Sequence, residues 1–411
     1  MTSGIMTFSI MNQIKKKKRG CVIRHDYYPE EKSVHREVIA LSEIGLEIHV
    51  ICLRGPDQAS EEIVDGIHIH RVPLKREKGS IGRYLYDYLS FFLLASIKVT
   101  VLHLRYYFAV IQVNTMPDFL IFTTLIPRLL GAKTVIQMHE PTPELWTTMS
   151  GSHLLIFLLE FVEQISLNYA QRVFTVTEQL KETYVSRGAN PDKISVILNV
   201  PDARLFESGD ISPIPSGDDF RIICHGAIEE RYGQDTIVEA ASLVKDVIPG
   251  LRIHVLGQGT YVEKFVAQIK ALGVQKYVYY LGWVTFSQMV LELRQADVGI
   301  IAQKSSPYSN LVHTGKMYDY INFGKAVIAS RLTSVRAYFD EDSICFYEAG
   351  NAEDLARAIL SLYHNPNKRQ KLARNAASLY HKNYKWDHQR KIYQDVYRSL
   401  IGLGEDDATV Y

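Results

Sequence analysis

Four cysteines, an almost balanced charge and the lack of any long apolar run narrow what this 411-residue chain can be. The cysteines (Cys21, Cys52, Cys224 and Cys345) form no C-x-x-C pair, and each lies in or beside a short apolar, strand-like run. We therefore expect reduced core thiols in a cytoplasmic protein, and no metal site. Lysines and arginines number 46 against 45 aspartates and glutamates, which argues against nucleic acid as the main partner.

No uninterrupted apolar run is long enough to span a bilayer. The longest, Leu89 to Ile97, is interrupted by serine and followed by Lys98, and no signal peptide precedes the first predicted strand. The sequence therefore predicts neither a transmembrane helix nor export. The length of the chain predicts two domains, each with its own core.

Cations are concentrated near the N-terminus. Residues 1–14 have no clear hydrophobic period, and Lys15 to Arg19 are five consecutive cations directly before the first strand. We therefore expect residues 1–19 to form a flexible basic extension. The basic run is either a solvated charge cluster or an anchor for anionic lipid headgroups, and the sequence leaves both interpretations open.

Strands and helices alternate along the rest of the chain. One series occupies residues 20–207, a linker rich in Ser, Pro, Gly and Asp follows at 208–219, and a second series occupies 220–385. This alternation predicts an α/β fold with two doubly wound, Rossmann-like parallel sheets. Sheets of this kind bind ligands at the carboxyl ends of their strands. A hairpin is predicted to end at GIHIHRV, Thr177 and Asn351 are predicted helix caps, and Ser305 to Asn310 are predicted to form a flexible loop.

The segment Arg83 to Leu104 is rich in Tyr, Phe and Leu, with basic residues at its ends. It is either a helix packed on the sheet or an interfacial helix on a membrane. Apolar residues on nearly all sides of the helix favour burial, whereas the nearby basic run favours contact with an anionic membrane.

The stretch Leu311 to Ser330 predicts a loop, a short helix and a buried strand. His313, Thr314 and Gly315 open the helix, where unpaired backbone N–H groups can bind an anionic phosphate group. Lys316 adds a full positive charge to the same place. The sequence therefore predicts an anion site here.

Asp319 follows Lys316 by three residues, so it lies on the same helix face, where a carboxylate can accept hydrogen bonds from two ribose hydroxyls. A solvated surface ion pair has the same spacing. Gly226 and Gly233 precede a second helix, and their lack of a side chain lets the backbone approach a ligand closely. We expect all of them in one donor-binding site.

Two segments of the first half supply further candidates. The strand KTVIQM ends at His139, with Glu140 beside it, and the prolines that follow stiffen the turn. Tyr27 and Tyr28 follow the first strand, so their loop is also predicted to face a cleft.

The stretch KMYDYINFGKAVIAS, from Lys316 to Ser330, resembles a segment of the family 4 glycosyltransferases, which are retaining enzymes of the two-domain GT-B fold that use nucleotide-sugar donors. The segments from Tyr27 to Leu74 and from Thr177 to Asp202 resemble the N-terminal half of that family. The resemblance implies an acceptor site in the first domain, a donor site in the second, and a C-terminal helix within 386–411 that crosses back to the first.

The resemblance also implies roles for single residues. The family histidine that follows the strand contacts the donor sugar, and its position falls on His139. Gly257 and Trp283 fall beside the nucleotide base. Tyr27, Tyr28 and Glu140 come to lie on the acceptor side of the cleft.

Three positions depart from the family pattern. The Arg and Lys that hold the diphosphate fall on Ala227 and Tyr232, so Arg231, one residue displaced, becomes the candidate phosphate clamp. Of two family glutamates, the ribose-binding one falls on Asp319 and the sugar-binding one falls on Leu311, which cannot do that work.

The implied function is transfer of a sugar, with retention, from a nucleotide-sugar to a glycan or lipid-linked acceptor in cell-surface polysaccharide or glycoconjugate synthesis. His139, Arg231 and Lys316 carry the chemistry. We expect no cofactor and no metal, since cations and a helix dipole can stabilise the departing diphosphate. A GT-B epimerase or hydrolase and, because of Leu311, a non-catalytic nucleotide-sugar-binding partner of another transferase remain as alternatives. The expected location is the cytoplasm, or the inner face of the membrane as a peripheral protein.

Overall fold

A computed structural model describes residues 17–76, 81–147, 152–202 and 219–404, and the single positions 204, 214 and 217. Residues 1–16 of the predicted flexible extension 1–19 and most of the predicted linker 208–219 lie outside the described residues, and Arg19 belongs to the first strand rather than to an extension. The described chain forms two α/β halves, one before and one after that linker, each built on a central sheet.

The sheet of the first half contains eight strands in the part of the chain that the structure describes. They are β1 (Arg19–Arg24), β2 (Glu47–Leu53), β3 (Glu61–Val64), β4 (Ile67–Val72), β5 (Val110–Asn114), β6 (Lys133–Met138), β7 (Arg172–Thr175) and β8 (Ile194–Val196). Their spatial order is β3-β4-β2-β1-β5-β6-β7-β8. All neighbouring pairs are parallel except β3 and β4, which form the predicted hairpin.

Helices cover both faces of this sheet. They are α1 (Lys32–Glu43), α2 (Ile81–Tyr106), α3 (Leu125–Leu129), α4 (Thr142–Thr147), α5 (His153–Tyr169) and α6 (Glu178–Ser186), with 3-10 turns at Asp118–Thr124 and Pro191–Lys193. The central strands β5 and β6 are buried at every position except Lys133, as expected for parallel strands covered on two sides. Thr177 caps α6 by accepting the Leu180 N–H at 3.2 Å, as the sequence predicts.

The second half repeats this architecture with six strands. They are β9 (Phe220–His225), β10 (Leu251–Leu256), β11 (Val278–Gly282), β12 (Val298–Ile301), β13 (Ala326–Ser330) and β14 (Cys345–Tyr347). The order is β11-β10-β9-β12-β13-β14, and every neighbouring pair is parallel. The two-sheet α/β prediction is therefore confirmed.

The helices of the second half complete the chain. They are α7 (Gln234–Val244), α8 (Val262–Ala271), α9 (Phe286–Gln295), α10 (Lys316–Asn322), α11 (Thr333–Arg336), α12 (Ala352–His364), α13 (Pro366–Leu379) and α14 (Trp386–Ile401), with a 3-10 turn at Glu230–Tyr232 and a π-helical turn at Tyr380–Tyr384. Asn351 caps α12, again as predicted.

Helix α2 is only half buried, which corrects the sequence interpretation that favoured burial. Phe91, Ala95 and Val99 lie in the core of the first half, whereas Leu93 and Ile97 are 61% and 64% exposed. The apolar residues that surround the helix therefore form one buried stripe and one stripe that faces outwards.

Helix α14 returns from the second half and packs on α1 of the first. The hydroxyls of Tyr393 and Tyr397 donate to Oε1 of Gln112, at 2.6 Å for Tyr393. The side-chain amides of Gln112 and Asn114 donate in turn to Oε2 of buried Glu37, at 2.8 and 3.0 Å. This buried polar network ties the end of the chain to the centre of the first sheet.

The network predicts a pH-dependent stability. Burial raises the pKa of Glu37 from 4.5 to about 7, against the opposing charge of Arg36. Because the folded state keeps this proton to a higher pH than the unfolded state, Glu37 lowers the free energy of unfolding progressively as pH rises from about 4.5 to about 7. Glu37→Gln keeps an oxygen acceptor and cannot ionise.

We expect Glu37→Gln to have a melting temperature close to that of the parent at pH 5 and a few degrees above it at pH 8. Thermal unfolding at both pH values measures this difference. A difference between parent and variant that is the same at the two pH values would contradict the assignment.

Candidate functional site

His139 lies directly after β6, at the carboxyl edge of the first sheet. Its backbone N–H donates to Oγ1 of Thr115 at 3.3 Å, which fixes the turn. The ring Nε2 is buried and has no hydrogen-bond partner among the described residues. Since buried polar atoms normally have a partner, this nitrogen is free to bond to a ligand.

The imidazole of His139 is neutral near pH 7. Burial lowers its pKa well below the usual range, and the cations Arg24 and Arg36 lower it further. Arg24 is held by Glu31 at 2.6 Å, and the guanidinium of Arg36 lies 4.4 Å from the Trp386 ring centre. His139 can therefore exchange hydrogen bonds with a hydroxyl group without bringing a positive charge.

Glu140 reaches the second half of the chain. The hydroxyl of Tyr308 donates to Oε2 of Glu140, and the guanidinium of Arg231 lies 5.9 Å from the centre of the Tyr308 ring. Burial raises the pKa of Glu140, and the hydrogen bond from Tyr308 and the charge of Arg231 oppose this shift. Three side chains from two halves thus meet at one place.

These side chains border a cavity of about 300 Å³ between the halves. Its wall includes Arg24, His25, Glu31, Ser33, Arg76, Tyr88, Thr115, His139, Glu140, Asn199, Arg231 and Tyr308. The wall is dense in hydrogen-bonding groups, and the volume is at the lower end of the roughly 300–1,000 Å³ typical of small-molecule sites. The cavity is suited to one polar ring with several hydroxyls.

Arg231 and Lys316 approach one another beside this cavity, as predicted. The Nζ of Lys316 is 4.4 Å and the Cζ of Arg231 is 5.0 Å from the ring centre of Tyr232. Burial lowers the pKa of Lys316, Asp319 opposes this, and Arg231 lowers it further. Two cations held this close favour an anion between them.

Two glycine loops at the carboxyl ends of β9 and β10 lie against Lys316. Gly226 has φ +110° and Gly257 has φ +135°. A Cβ at Gly226 would lie 1.9 Å from Cε of Lys316, and a Cβ at Gly257 would lie 1.8 Å from the Gly226 carbonyl oxygen. Both glycines are therefore required for the lysine to lie across the loops.

Asp319 lies one turn after Lys316 on α10 and is not a solvated surface residue. Its Oδ2 is 3.3 Å from Nε2 of His225, and its charge also acts on Lys32 of the first half. A ribose at this position would meet a carboxylate that already has one ring nitrogen as a neighbour.

Two residues predicted to bind the donor, Gly233 and His313, pack closely against the core of the second half. A Cβ at Gly233 would lie 2.0 Å from the carbonyl oxygen of Ala302, so this close approach is to protein rather than to a ligand. His313 Nε2 is 2.8 Å from the Tyr318 hydroxyl, and its ring packs on Tyr338. Both residues are crowded by the core of the second half, and their contact with a donor stays a prediction.

Thr314 and Gly315 precede α10, which begins at Lys316 rather than earlier as predicted. The Oγ1 of Thr314 lies 3.4 Å from the backbone N–H of Lys316, which donates to it. A Cβ at Gly315 would lie 2.8 Å from the carbonyl oxygen of Asn199. Thr314 therefore accepts a hydrogen bond from the first backbone N–H of α10. The absence of a side chain at Gly315 lets the start of the helix contact the first half.

The two tyrosines after β1 differ in position. Tyr27 accepts the backbone N–H of Arg76 at 3.1 Å and lines an open groove of about 540 Å³. Tyr28 is buried in the core, with its hydroxyl 3.0 Å from Nδ1 of His35. The prediction that Tyr28 faces the cleft is therefore wrong.

Trp283 lies at the carboxyl end of β11 with 69% of its surface exposed. The N–H of Gly257 donates to the carbonyl of Gly282 at 2.7 Å, so Trp283 directly follows a residue that is bonded to the Gly257 loop. An exposed indole at this edge has a free face on which a planar base can stack.

Leu311 faces the first half rather than the cavity. Its side chain packs against the core of the first half, where Tyr308 and Val312 are also buried. Its carbonyl accepts a hydrogen bond from Oγ1 of Thr177. The loop Ser305–Asn310, which the sequence predicts to be flexible, is thus anchored at Tyr308, and position 311 presents no group to the cavity.

Three residues of the site were missed from the sequence: Tyr232, Tyr308 and His225. Tyr232 occupies the position of a family lysine. This substitution could have indicated from the sequence that an aromatic ring lies close to Arg231 and Lys316. Tyr308 and His225 gave no signal, because each acquires its role through a partner distant in sequence, Glu140 and Asp319 respectively.

Within the described residues, one group has the donor atoms for a metal ion: Glu47, His49 and His68. It lies on β2 and β4, away from His139. The Glu47 carboxylate is already bonded by Nε of Arg19 at 3.0 Å. The expectation of no metal and no cofactor at the cleft stays a prediction.

Two family models match the chain, one in each half. The model described as "Glycosyl transferase 4-like domain" matches residues 31–199, and the model described as "Glycosyl transferases group 1" matches residues 212–379. Among curated relatives, the lipopolysaccharide 1,6-galactosyltransferase of Salmonella typhimurium is 24% identical over 192 residues, which are 45% of this chain and 49% of that protein. The matches span about half the length of the curated relatives.

Solved structures resemble the whole fold. Sucrose-phosphate synthase from Thermosynechococcus elongatus matches with a TM-score of 0.75 at 15% identity, over 94% of this chain and 100% of the other. Anabaena HepE in complex with UDP-glucose matches with a TM-score of 0.70 at 13% identity, over 93% and 99%. The predicted GT-B fold is confirmed.

Substitution of glycine by alanine tests whether the Gly257 loop can accommodate a side chain. Gly257→Ala places a Cβ against the Gly226 carbonyl, whereas Gly273, also at positive φ (+64°), has open space around it. We expect Gly273→Ala to cost about 1 kcal/mol of unfolding free energy and Gly257→Ala about 3 kcal/mol or more. Denaturant titration measures both, and equal losses would show that the Gly257 loop has room to move.

Proposed function

The chain belongs to the group 1 glycosyl transferases, and we propose on that premise that it transfers a sugar from a nucleotide-sugar to a glycan or lipid-linked acceptor with retention of configuration. The observation that carries the proposal is the convergence of Arg231 and Lys316 beside a polar cavity into which His139 brings an unpartnered buried nitrogen. A role in cell-surface polysaccharide or glycoconjugate synthesis is part of the proposal.

The donor would bind mainly to the second half. Lys316 and Arg231 supply the charge for a diphosphate, Asp319 and His225 lie where ribose hydroxyls can bond, and the Trp283 indole is available to a base. UDP is the first nucleotide to test, because HepE has been solved with UDP and with UDP-glucose. The donor sugar would then occupy the cavity between the halves.

The chain's own residues can assist departure of the diphosphate. Arg231 and Lys316 would stabilise the charge that develops on the phosphate oxygen as its bond to the anomeric carbon breaks. His139, held neutral, can bond a sugar hydroxyl without repelling the positive charge on the ring. With retention, the acceptor oxygen bonds to the face that the phosphate leaves, and the acceptor's proton passes to that phosphate oxygen.

Glu140 and the groove beside Tyr27 are assigned to the acceptor. Glu140 borders the cavity, and its hydrogen bond from Tyr308 leaves one carboxylate oxygen available for an acceptor hydroxyl. A cytoplasmic location is also part of the proposal, and four free cysteines, three of them buried, are consistent with it.

A non-catalytic nucleotide-sugar-binding partner is the second candidate, because Leu311 offers no carboxylate and points into the first half. Incubation with a panel of nucleotide sugars separates the two. Transfer or hydrolysis supports an enzyme, whereas tight binding without turnover supports the partner.

Lys316→Met should weaken UDP binding, because it removes one charge while nearly keeping the side-chain length. The expected loss is about 1.5–3 kcal/mol, or on the order of 10- to 150-fold in Kd. Calorimetry with UDP measures it, and Lys264→Met, at an exposed lysine of the same half, is the matched control. If Lys316→Met binds UDP with unchanged affinity, the diphosphate does not bind beside Lys316.

His139→Ala should lower turnover on the order of a hundredfold and leave donor affinity and melting temperature nearly unchanged, because its bond strengthens as charge develops on the sugar. The control is His103→Ala, since His103 is also buried without a hydrogen-bond partner among the described residues but lies outside the cavity wall. It should lower the melting temperature and keep turnover. If His139→Ala behaves like the control, His139 is a core residue.

A further inference from the structure

Exposed apolar side chains are concentrated on one part of the first half. Of the 25 large apolar side chains exposed in the described residues, eighteen belong to α2, α3 and α5 or to Tyr107 and Leu130, which follow α2 and α3 directly. Contiguous apolar surface of this kind on a folded protein marks an interaction site.

Helix α2 provides the longest part of this surface. Leu89, Leu93, Ile97, Val101 and Leu104 are all exposed and recur at spacings of three or four residues, so they form one stripe along a single side of the helix. At 1.5 Å per residue the stripe runs for roughly 22 Å. The opposite side of the helix is in the core, so the exposed stripe does not belong to the packing of this chain.

Helices α3 and α5 extend the stripe sideways. Both α2 and α5 pack against the turn Asp118–Thr124, and α3 packs against α2 and the same turn. Phe157, Phe161 and Ile165 of α5 are exposed at successive helical turns, and Leu129 of α3 is also exposed. We call the exposed apolar residues of α2, α3 and α5 the apolar face.

The apolar face lies along a surface and cannot cross a bilayer. Residues Gly82–Tyr106 are long and apolar enough to span one, and 28% of their most apolar part is buried. However, α2 connects β4 to β5, and Phe91, Val99 and Leu102 hold it in the core of the first half. Spanning would extract these side chains from the core.

A group of cations borders one end of the apolar face. Arg105 lies in the last turn of α2, and Lys133 and Arg172 begin β6 and β7. Arg128 and Lys193 bond backbone carbonyls at the C-terminal end of α5, with Lys193 Nζ 2.8 Å from the Asn168 carbonyl. We call these five cations the basic rim. They lie at the amino edge of the first sheet.

Arg19, the last cation of the N-terminal basic run, lies at the same edge. The Nη1 of Arg19 donates to the carbonyl of Tyr106 at 3.2 Å, next to Arg105. Because the whole chain has 46 cationic against 45 acidic side chains, this concentration of positive charge is local. An apolar face with a cationic border is complementary to a bilayer with anionic headgroups.

We propose that the apolar face and the basic rim dock the protein on the surface of an anionic lipid bilayer, with α2 lying in the plane of the interface. The apolar side chains enter the boundary between headgroups and acyl chains, and the rim bonds lipid phosphates. A second copy of the chain would match the apolar face but would meet repulsion between the two basic rims.

This docking also orients the cavity relative to the membrane. The consequence for the acceptor rests on the proposed function. Tyr88, on the N-terminal part of α2, lines the cavity and its ring centre is 5.1 Å from that of His25. The same helix thus joins the interface to the cavity wall. An acceptor carried on a membrane lipid would reach the cavity from this end of α2.

The test measures binding of the full chain to vesicles and needs no enzymatic activity. Flotation is compared for vesicles of equal parts phosphatidylglycerol and phosphatidylcholine and for vesicles of phosphatidylcholine alone. We expect stronger binding to the anionic vesicles, weakened by salt. The rim variant Arg105→Gln, Lys133→Gln, Arg172→Gln should lose on the order of a hundredfold in partition coefficient on anionic vesicles.

A second variant tests the apolar face. Leu93→Gln, Ile97→Gln, Phe157→Gln and Phe161→Gln together should abolish binding to both vesicle types while keeping the melting temperature, because all four side chains are exposed. The matched control is Leu243→Gln with Val247→Gln, which changes two exposed apolar residues of the second half and should bind like the parent.

Several outcomes overturn the proposal. One is absence of binding to either vesicle type, and another is equal loss of binding in the control variant. A third is a parent that dimerises without lipid and an apolar-face variant that is monomeric, with neither binding vesicles, which would assign the face to a second copy. Because nucleotide binding and turnover are not read in this assay, its failure leaves the proposed transferase function untouched.

Discussion

The cavity depends on one contact, the insertion of the segment Tyr308–Val312 from the second half into the first. Its apolar side chains lie in the core of the first half, its backbone bonds Thr177, and the Tyr308 hydroxyl bonds Glu140. This packing brings Arg231 to the edge that carries His139. It also takes position 311 out of the cavity, so the same contact that builds the site removes the place where a glutamate would have met a sugar.

The charges around this contact differ on its two sides. The second-half side favours binding of an anion, and the first-half side favours a neutral polar ring. Arg231 and Lys316 both lie close to the ring of Tyr232, and burial lowers the pKa of Lys316. On the first-half side, burial and two neighbouring arginines keep His139 neutral. A departing diphosphate and a sugar that gains positive charge would find matching surroundings on the two sides.

The sequence predicted the fold, the helix caps at Thr177 and Asn351 and the meeting of Arg231 with Lys316, because these follow from local period, capping chemistry and strand ends. The sequence did not predict the side-chain positions that depend on packing between segments distant in the chain. Tyr28, which follows a strand end and was expected at the cleft, turns inwards. Gly233 and His313 make close contacts with the core of the second half that the sequence pattern does not reveal. The outward stripe of α2 was hidden because apolar residues surround the helix, and only the position of the sheet separates its two sides.

The most direct test of the account is a crystal structure of the chain with an intact nucleotide-sugar. The account predicts the diphosphate within hydrogen-bond distance of Lys316 and Arg231, and a sugar hydroxyl within hydrogen-bond distance of His139 Nε2, in the cavity between the halves. A nucleotide bound elsewhere, for example in the outer groove beside Tyr27, or a sugar ring that leaves His139 Nε2 without a partner, would contradict it.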